Sequence, residues 1–156
     1  MSETDRATTL LDSALATGAL VTIATGGALI GLGLREGEAS REFRLVGRVL
    51  LERLGVASGT APLTSVALGY LHHLVVATLW GIVIGLLVLP LRGMRRFLAA
   101  FLAVIVYAVF VTRWFPPVMR IGYSVTSNVP GVVPVAVALF VALLGGVWLA
   151  TAETSA

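Results

Sequence analysis

His72 and His73 stand side by side in a run, Leu54 to Leu91, that contains no Asp, Glu, Lys or Arg. Imidazole is the side chain whose unperturbed charge change lies closest to neutral pH, and an ionisable group inside an apolar span is a functional candidate by default. Arg113, Arg120 and Tyr107 are the other polar side chains that the chain order brings toward the same end. Together the five form a candidate polar or ligand site. In one reading they bind an anion or a lipid headgroup, with Arg113 as the fixed charge and His73 as a pH-sensitive donor. In the other, a neutral His73 hydrogen-bonds across to the first or third span, to a Thr for example, while His72 and Arg113 reach toward the membrane surface. Tyr107 and Trp80 are then packed aromatics.

The chemistry these residues lack is as informative. The chain has no Cys, which excludes disulfides, thiolate metal sites and thiol redox reactions. No Asp or Glu falls within the expected spans, so a carboxylate proton relay has no carrier. Adjacent histidines on a helix point about 100° apart, so His72 and His73 of one subunit do not clamp a haem between them. Neither a Ser/His/Asp arrangement nor a carboxylate-bearing metal site is visible. The expectation is a protein that is not an enzyme, with no cofactor, no metal and no nucleic-acid partner.

The elements that position these residues are read from hydropathy. Charged residues are 12% of the chain, half the ~25% of soluble domains. Apolar runs long enough for the roughly 20 residues a bilayer-crossing helix needs predict four spans, at about 13–34, 66–91, 97–115 and 131–151. The first run exceeds a signal-peptide core and reads as a retained span of a multi-pass protein of the cell (plasma or inner) membrane. With 156 residues, one membrane domain over 1–156 accounts for the chain. Between spans 1 and 2, residues 40–54 have helical periodicity. Arg41, Arg44, Arg48 and Glu52 fall on one face, and Phe43, Val46, Leu50 and Leu54 on the other. This is a short amphipathic helix, either lying on the membrane with its arginines on anionic headgroups or packed on the end of the bundle. Ser58 to Pro62 reads as a turn, with Thr64 or Ser65 capping the second span.

Every basic residue is Arg. Seven (Arg35, Arg41, Arg44, Arg48, Arg53, Arg113 and Arg120) belong to the first and third connections, which favours those facing the cytoplasm. The compact cluster Arg92, Arg95, Arg96 in the second connection argues for the opposite orientation.

Lipid tails are as apolar as leucine, so helix association in a bilayer depends on close backbone approach and a few hydrogen bonds. Gly69, His73, Ala77, Gly81 and Gly85 recur every four residues on the second span. Gly18, Thr22 and Gly26, then Gly27 and Gly31, do so on the first, and Ala138, Ala142, Gly146 and Ala150 on the fourth. These stripes are expected to be packing surfaces within the chain, or one of them a homo-oligomer contact.

The order of parts, an Arg-bearing segment before a span carrying Tyr70-Leu71-His72-His73 and then Trp80-Gly81 with Gly85, resembles small prokaryotic four-helix membrane proteins of unassigned function. That resemblance runs over most of the chain and implies a compact four-span bundle without an activity. The whole therefore reads as an all-α, four-helix transmembrane bundle with a structural or accessory role, as a homo-oligomer or in a larger complex. The alternative is a small permease or channel for an anion or small solute, using the His/Arg site at one membrane face.

Overall fold

A computed structural model of the chain describes residues 3–56 and 62–153, all helix and connecting turns with no strand. Helix α1 is Glu3–Arg35, α2 is Arg41–Arg53 and α3 is Pro62–Val88. Helix α4 is Met94–Trp114, with a π-helical segment at Tyr107–Val111, and α5 is Val129–Glu153. Four of these, α1, α3, α4 and α5, are long and apolar enough to cross a membrane. The turn expected at residues 58–62 lies outside the described residues except for Pro62, which starts α3 at the first helical position, where its missing N–H costs nothing. That places the start of α3 ahead of Thr64 and Ser65. Helix α1 also begins earlier than hydropathy alone suggests, because helix formation tolerates the polar segment before residue 13, and acidic residues favour a helix N-terminus.

Helix α1 is the centre of the bundle. It packs on α3 along one side and on α5 along another, while α2 packs on α3. Its buried row, Ala14, Thr17, Val21, Thr25 and Leu29, advances by three and four residues. Thr17 and Thr25 return their hydroxyls to the carbonyls of Ser13 and Val21, at 2.7 and 2.6 Å, which lets them enter an apolar seam with no stranded donor. Thr22 and Thr78 share a hydrogen bond of 2.8 Å across α1 and α3.

Glycine sets how closely these helices meet. A Cβ on Gly81 would lie 2.7 Å from the Cα of Gly18 and 2.9 Å from Val21 Cβ, so the α1 and α3 backbones touch there. Between α2 and α3 the approach is closer still: a Cβ on Gly47 would overlap the carbonyl of Ser65, and one on Gly69 the carbonyl of Phe43. These pairings make α2 antiparallel to α3. A Cβ on Gly146 of α5 would collide with the Thr17 side chain. Ala77 and Ala142 are buried, while a Cβ on Gly85 would meet Thr17 at an ordinary 3.4 Å. Gly27 and Gly31 are exposed, with nothing within 4 Å of a Cβ at either position.

Outward-facing residues on α3, α4 and α5 include Leu71, Leu79, Leu87, Phe101, Leu102, Val109 and Val141, all exposed. An apolar surface of this extent is untenable in water and ordinary against hydrocarbon.

Candidate functional site

Pro116 and Pro117 end α4, and Phe115 turns extended with ψ 149° as the residue before a proline must. The chain then makes a single 3-10 turn at Pro117–Met119, passes through extended Arg120 and turns again at Gly122, whose φ of +67° suits glycine. This connection folds back along α3. Val75 is the middle residue of Pro62–Val88; His72 and Trp80, three and five residues from it, hold the connection by hydrogen bonds. At 1.5 Å per residue the segment lies within about 8 Å of the middle of α3.

Irregular backbone at that depth persists only if its polar groups are satisfied by protein. His72 Nε2 lies 2.6 Å from the carbonyl of Val118, and a ring nitrogen facing a carbonyl must carry the proton. Trp80 Nε1 donates to Met119 O at 2.7 Å. Arg120 folds back so that Nε and Nη2 both donate to Phe115 O, at 3.0 and 2.7 Å. The amide of Ile121, a residue with no exposed surface, donates to the Tyr107 hydroxyl at 2.7 Å. Trp80 meets Tyr107 and Phe115 edge to face, with ring centres 5.5 and 5.7 Å apart, at the common depth that counting from the α3–α4 hairpin requires. The π-helical turn carries Tyr107 and Val111, both buried, on the inner side of α4.

The five candidate residues therefore do not converge on one ligand. His72, Tyr107 and Arg120 bind backbone groups of the connection at separate points, and Arg113 is exposed. His72 is half-buried against Val118 and Tyr123, at a depth where reaching for the membrane surface is unnecessary because the connection comes in to meet it. His73 points the other way, to α1: its Nε2 is 3.1 Å from the carbonyl of Thr22, and Phe43 of α2 packs on its ring edge at 5.6 Å. Its Nδ1 is buried without a partner. Gly26 leaves room for the ring, since a Cβ there would sit 3.2 Å from Nε2.

Sequence reasoning passed over the most enclosed charge. Glu42, beside Phe43 on α2, is 2% exposed. Its Oε2 accepts the Ser124 hydroxyl at 2.5 Å, and its Oε1 pairs with Arg41 at 3.3 Å. Next to it, Arg44 Nη2 pairs with Glu38, leaving Nε buried and unpartnered. Leu32, Arg35, Glu36, Arg41, Glu42, Ser124 and Asn128 line a cleft of about 290 Å³ at this end of the bundle. Asn128 Oδ1 accepts the Gly131 amide at 2.9 Å and so caps α5. Gly47, a helix-interior glycine flanked by Phe43, Val46 and Leu51, signals that α2 packs onto α3; Glu42 lies about 140° from it around the helix and is paired with Ser124 and Arg41.

Between α3 and α4 the space is apolar. One hollow of about 300 Å³ is lined by Val83, Ile84, Leu87, Ala99, Leu102, Val106 and neighbours, with Trp80 and Tyr107 at its deep end. A second, of about 310 Å³, lies past Trp80 among Val76, Leu79, Phe115 and Met119. Among the described residues no three His, Asp or Glu side chains gather in the manner of a metal site. No protein-family model matches the chain, and neither a curated protein nor a solved structure matches it.

Proposed function

We propose that this chain is a non-enzymatic, multi-pass protein of the cell (plasma or inner) membrane that serves as a structural or accessory subunit. One observation carries the reading: His72, Trp80, Tyr107 and Arg120 are each engaged with backbone of their own chain, where a transport pathway would keep such groups facing a solute. The apolar hollows between α3 and α4, where a polar cavity would favour a permease, support the same conclusion. In this reading α2 is the short amphipathic helix, with Phe43, Val46 and Leu51 packed inward and exposed Arg48, Glu52 and Arg53 at the level of the headgroups. The small-residue stripes act as packing surfaces, and Gly27 with Gly31 remains open for a homo-oligomer or a larger membrane complex.

The test is flux in sealed vesicles containing the purified chain, with chloride, phosphate and small organic solutes as cargo. Rates equal to empty vesicles are expected, together with an apparent mass in mild detergent above that of one 16.3 kDa chain. Solute flux that disappears in His73→Ala would overturn the accessory reading.

A permease is the second reading, and the cleft at Glu42 is its support: a buried carboxylate with Arg35 and Arg41 around an opening at one membrane face. Flux lost in Glu42→Gln while the bundle keeps its helicity would select it.

A further inference from the structure

The α3–α4 groove carries an inference independent of whether the chain is an accessory protein or a permease. Helices α3 and α4 are joined by a short hairpin, yet they scarcely touch along their length. The hollow left between them runs on α3 from Val88 to Trp80 and on α4 from Ala99 to Val111. At 1.5 Å per residue that is about 12 to 18 Å, the depth of one leaflet of a ~30 Å hydrocarbon core. Its walls, Val83, Leu87, Leu102 and Val106, are exposed apolar side chains. At its inner end the Trp80 indole, pinned to Met119 O and set edge-on to Tyr107, stands between it and the hollow beyond.

The outer end opens beside the hairpin that carries Arg92, Arg95 and Arg96. Arg96 is occupied: its Nε donates to Leu91 O and its Nη2 to Leu89 O at 2.6 Å, which ties the hairpin to the end of α3. Arg92 lines a separate cleft with Thr9, Leu10, Ala150 and Thr151, on the α1/α5 side of the hairpin. Arg95 stands one turn above Ala99 on the face of α4 that lines the groove; it is exposed and enters none of the ion pairs among the described residues.

We propose that this groove binds an anionic phospholipid from the leaflet on the hairpin side, one acyl chain lying between α3 and α4 and the phosphate held by Arg95. The charge at the mouth selects the headgroup, and the depth of one leaflet matches a lipid chain. Basic residues at a span end attract anionic headgroups by interfacial electrostatics, and here the groove converts that general attraction into a defined seat.

Trp80 at the inner end reports on occupancy. A Trp114→Phe/Trp148→Phe protein leaves Trp80 as the sole indole and is reconstituted in phosphatidylcholine vesicles containing a minor fraction of acyl-brominated phosphatidylglycerol or, separately, acyl-brominated phosphatidylcholine. Quenching by the brominated phosphatidylglycerol is expected at a roughly fivefold lower mole fraction, the scale of preference that one interfacial arginine supplies. Arg95→Gln should abolish the preference, leaving Arg96 and the hairpin intact, and Ala103→Phe should reduce quenching by either lipid by filling the groove. Equal quenching by the two lipids would reduce the groove to ordinary lipid contact and overturn the proposal. So would a preference that survives the arginine substitution. Leu102→Cys gives a second check in a chain without cysteine: efficient disulfide cross-linking between copies would assign the groove to a second chain instead.

Discussion

The α1/α3 seam and the α3/α4 pair use the same solvent and the same kind of helix with opposite results. At the seam, Gly81 of α3 sits against Gly18 of α1 and the backbones touch. Across the hairpin, α3 and α4 diverge although only a few residues join them. The difference follows from composition: α4 (Met94–Trp114) has no glycine, and it presents Leu102, Val106 and Val111 toward α3. In hydrocarbon these residues gain little by choosing protein over lipid. A short connection makes two helices neighbours; small side chains make them partners. Where partnership fails, polar side chains take over, and the segment after Phe115 folds into the wider end of the gap on hydrogen bonds from His72, Trp80 and Tyr107.

That contrast can be broken most forcefully at the closest backbone approach. Gly69→Ala places a methyl against the Phe43 carbonyl and is expected to cost about 3 kcal/mol, the upper part of the usual range for overpacking, measured as unfolding in a mixed-micelle denaturant titration. Gly85→Ala, with its nearest neighbour at 3.4 Å, should be close to neutral in the same titration. Equal losses at both positions would remove close approach as the organising cause.

Tyr107→Phe removes the acceptor for the buried Ile121 amide, and a loss of about 1–3 kcal/mol is expected, with faster hydrogen exchange at that amide. Unchanged exchange there would mean that the connection is held by other contacts. Trp80→Phe keeps most of the ring packing but strands the Met119 carbonyl, for a smaller loss of about 0.6 kcal/mol, the average for side-chain hydrogen bonds within membranes. Opposite in sign is Gly27→Ala: with open space around it, better helix propensity should stabilise the monomer by up to about 1 kcal/mol. A destabilisation instead would show that a second chain covers this face of α1.

The four long apolar helices were legible from hydropathy because lipid demands long uncharged runs; α3, α4 and α5 appear within a few residues of their expected positions, while α1 extends ten residues further toward the N-terminus. The polar site was legible only as a set of residue types. His72 and Tyr107 stand out in the sequence as polar groups in apolar helices, but their partners are main-chain atoms of Val118 and Ile121, which carry no side-chain signature. Glu42 escaped notice for the opposite reason. Its Arg-rich surroundings read as a solvated face, while the partner that meets it is Ser124, 82 residues further along.

Helix α1 bears on both α3 and α5, and it leaves the ribosome before either of them. The template is thus in the bilayer before the helices that need it, so α3 finds its glycine-lined mate on arrival. Helix α4, with the fewest commitments to its neighbours, follows while the site it helps to close is still unfinished. The inward connection is locked only after the tyrosine of α4 and the tryptophan of α3 are both in place, so the order of synthesis and the order of assembly coincide.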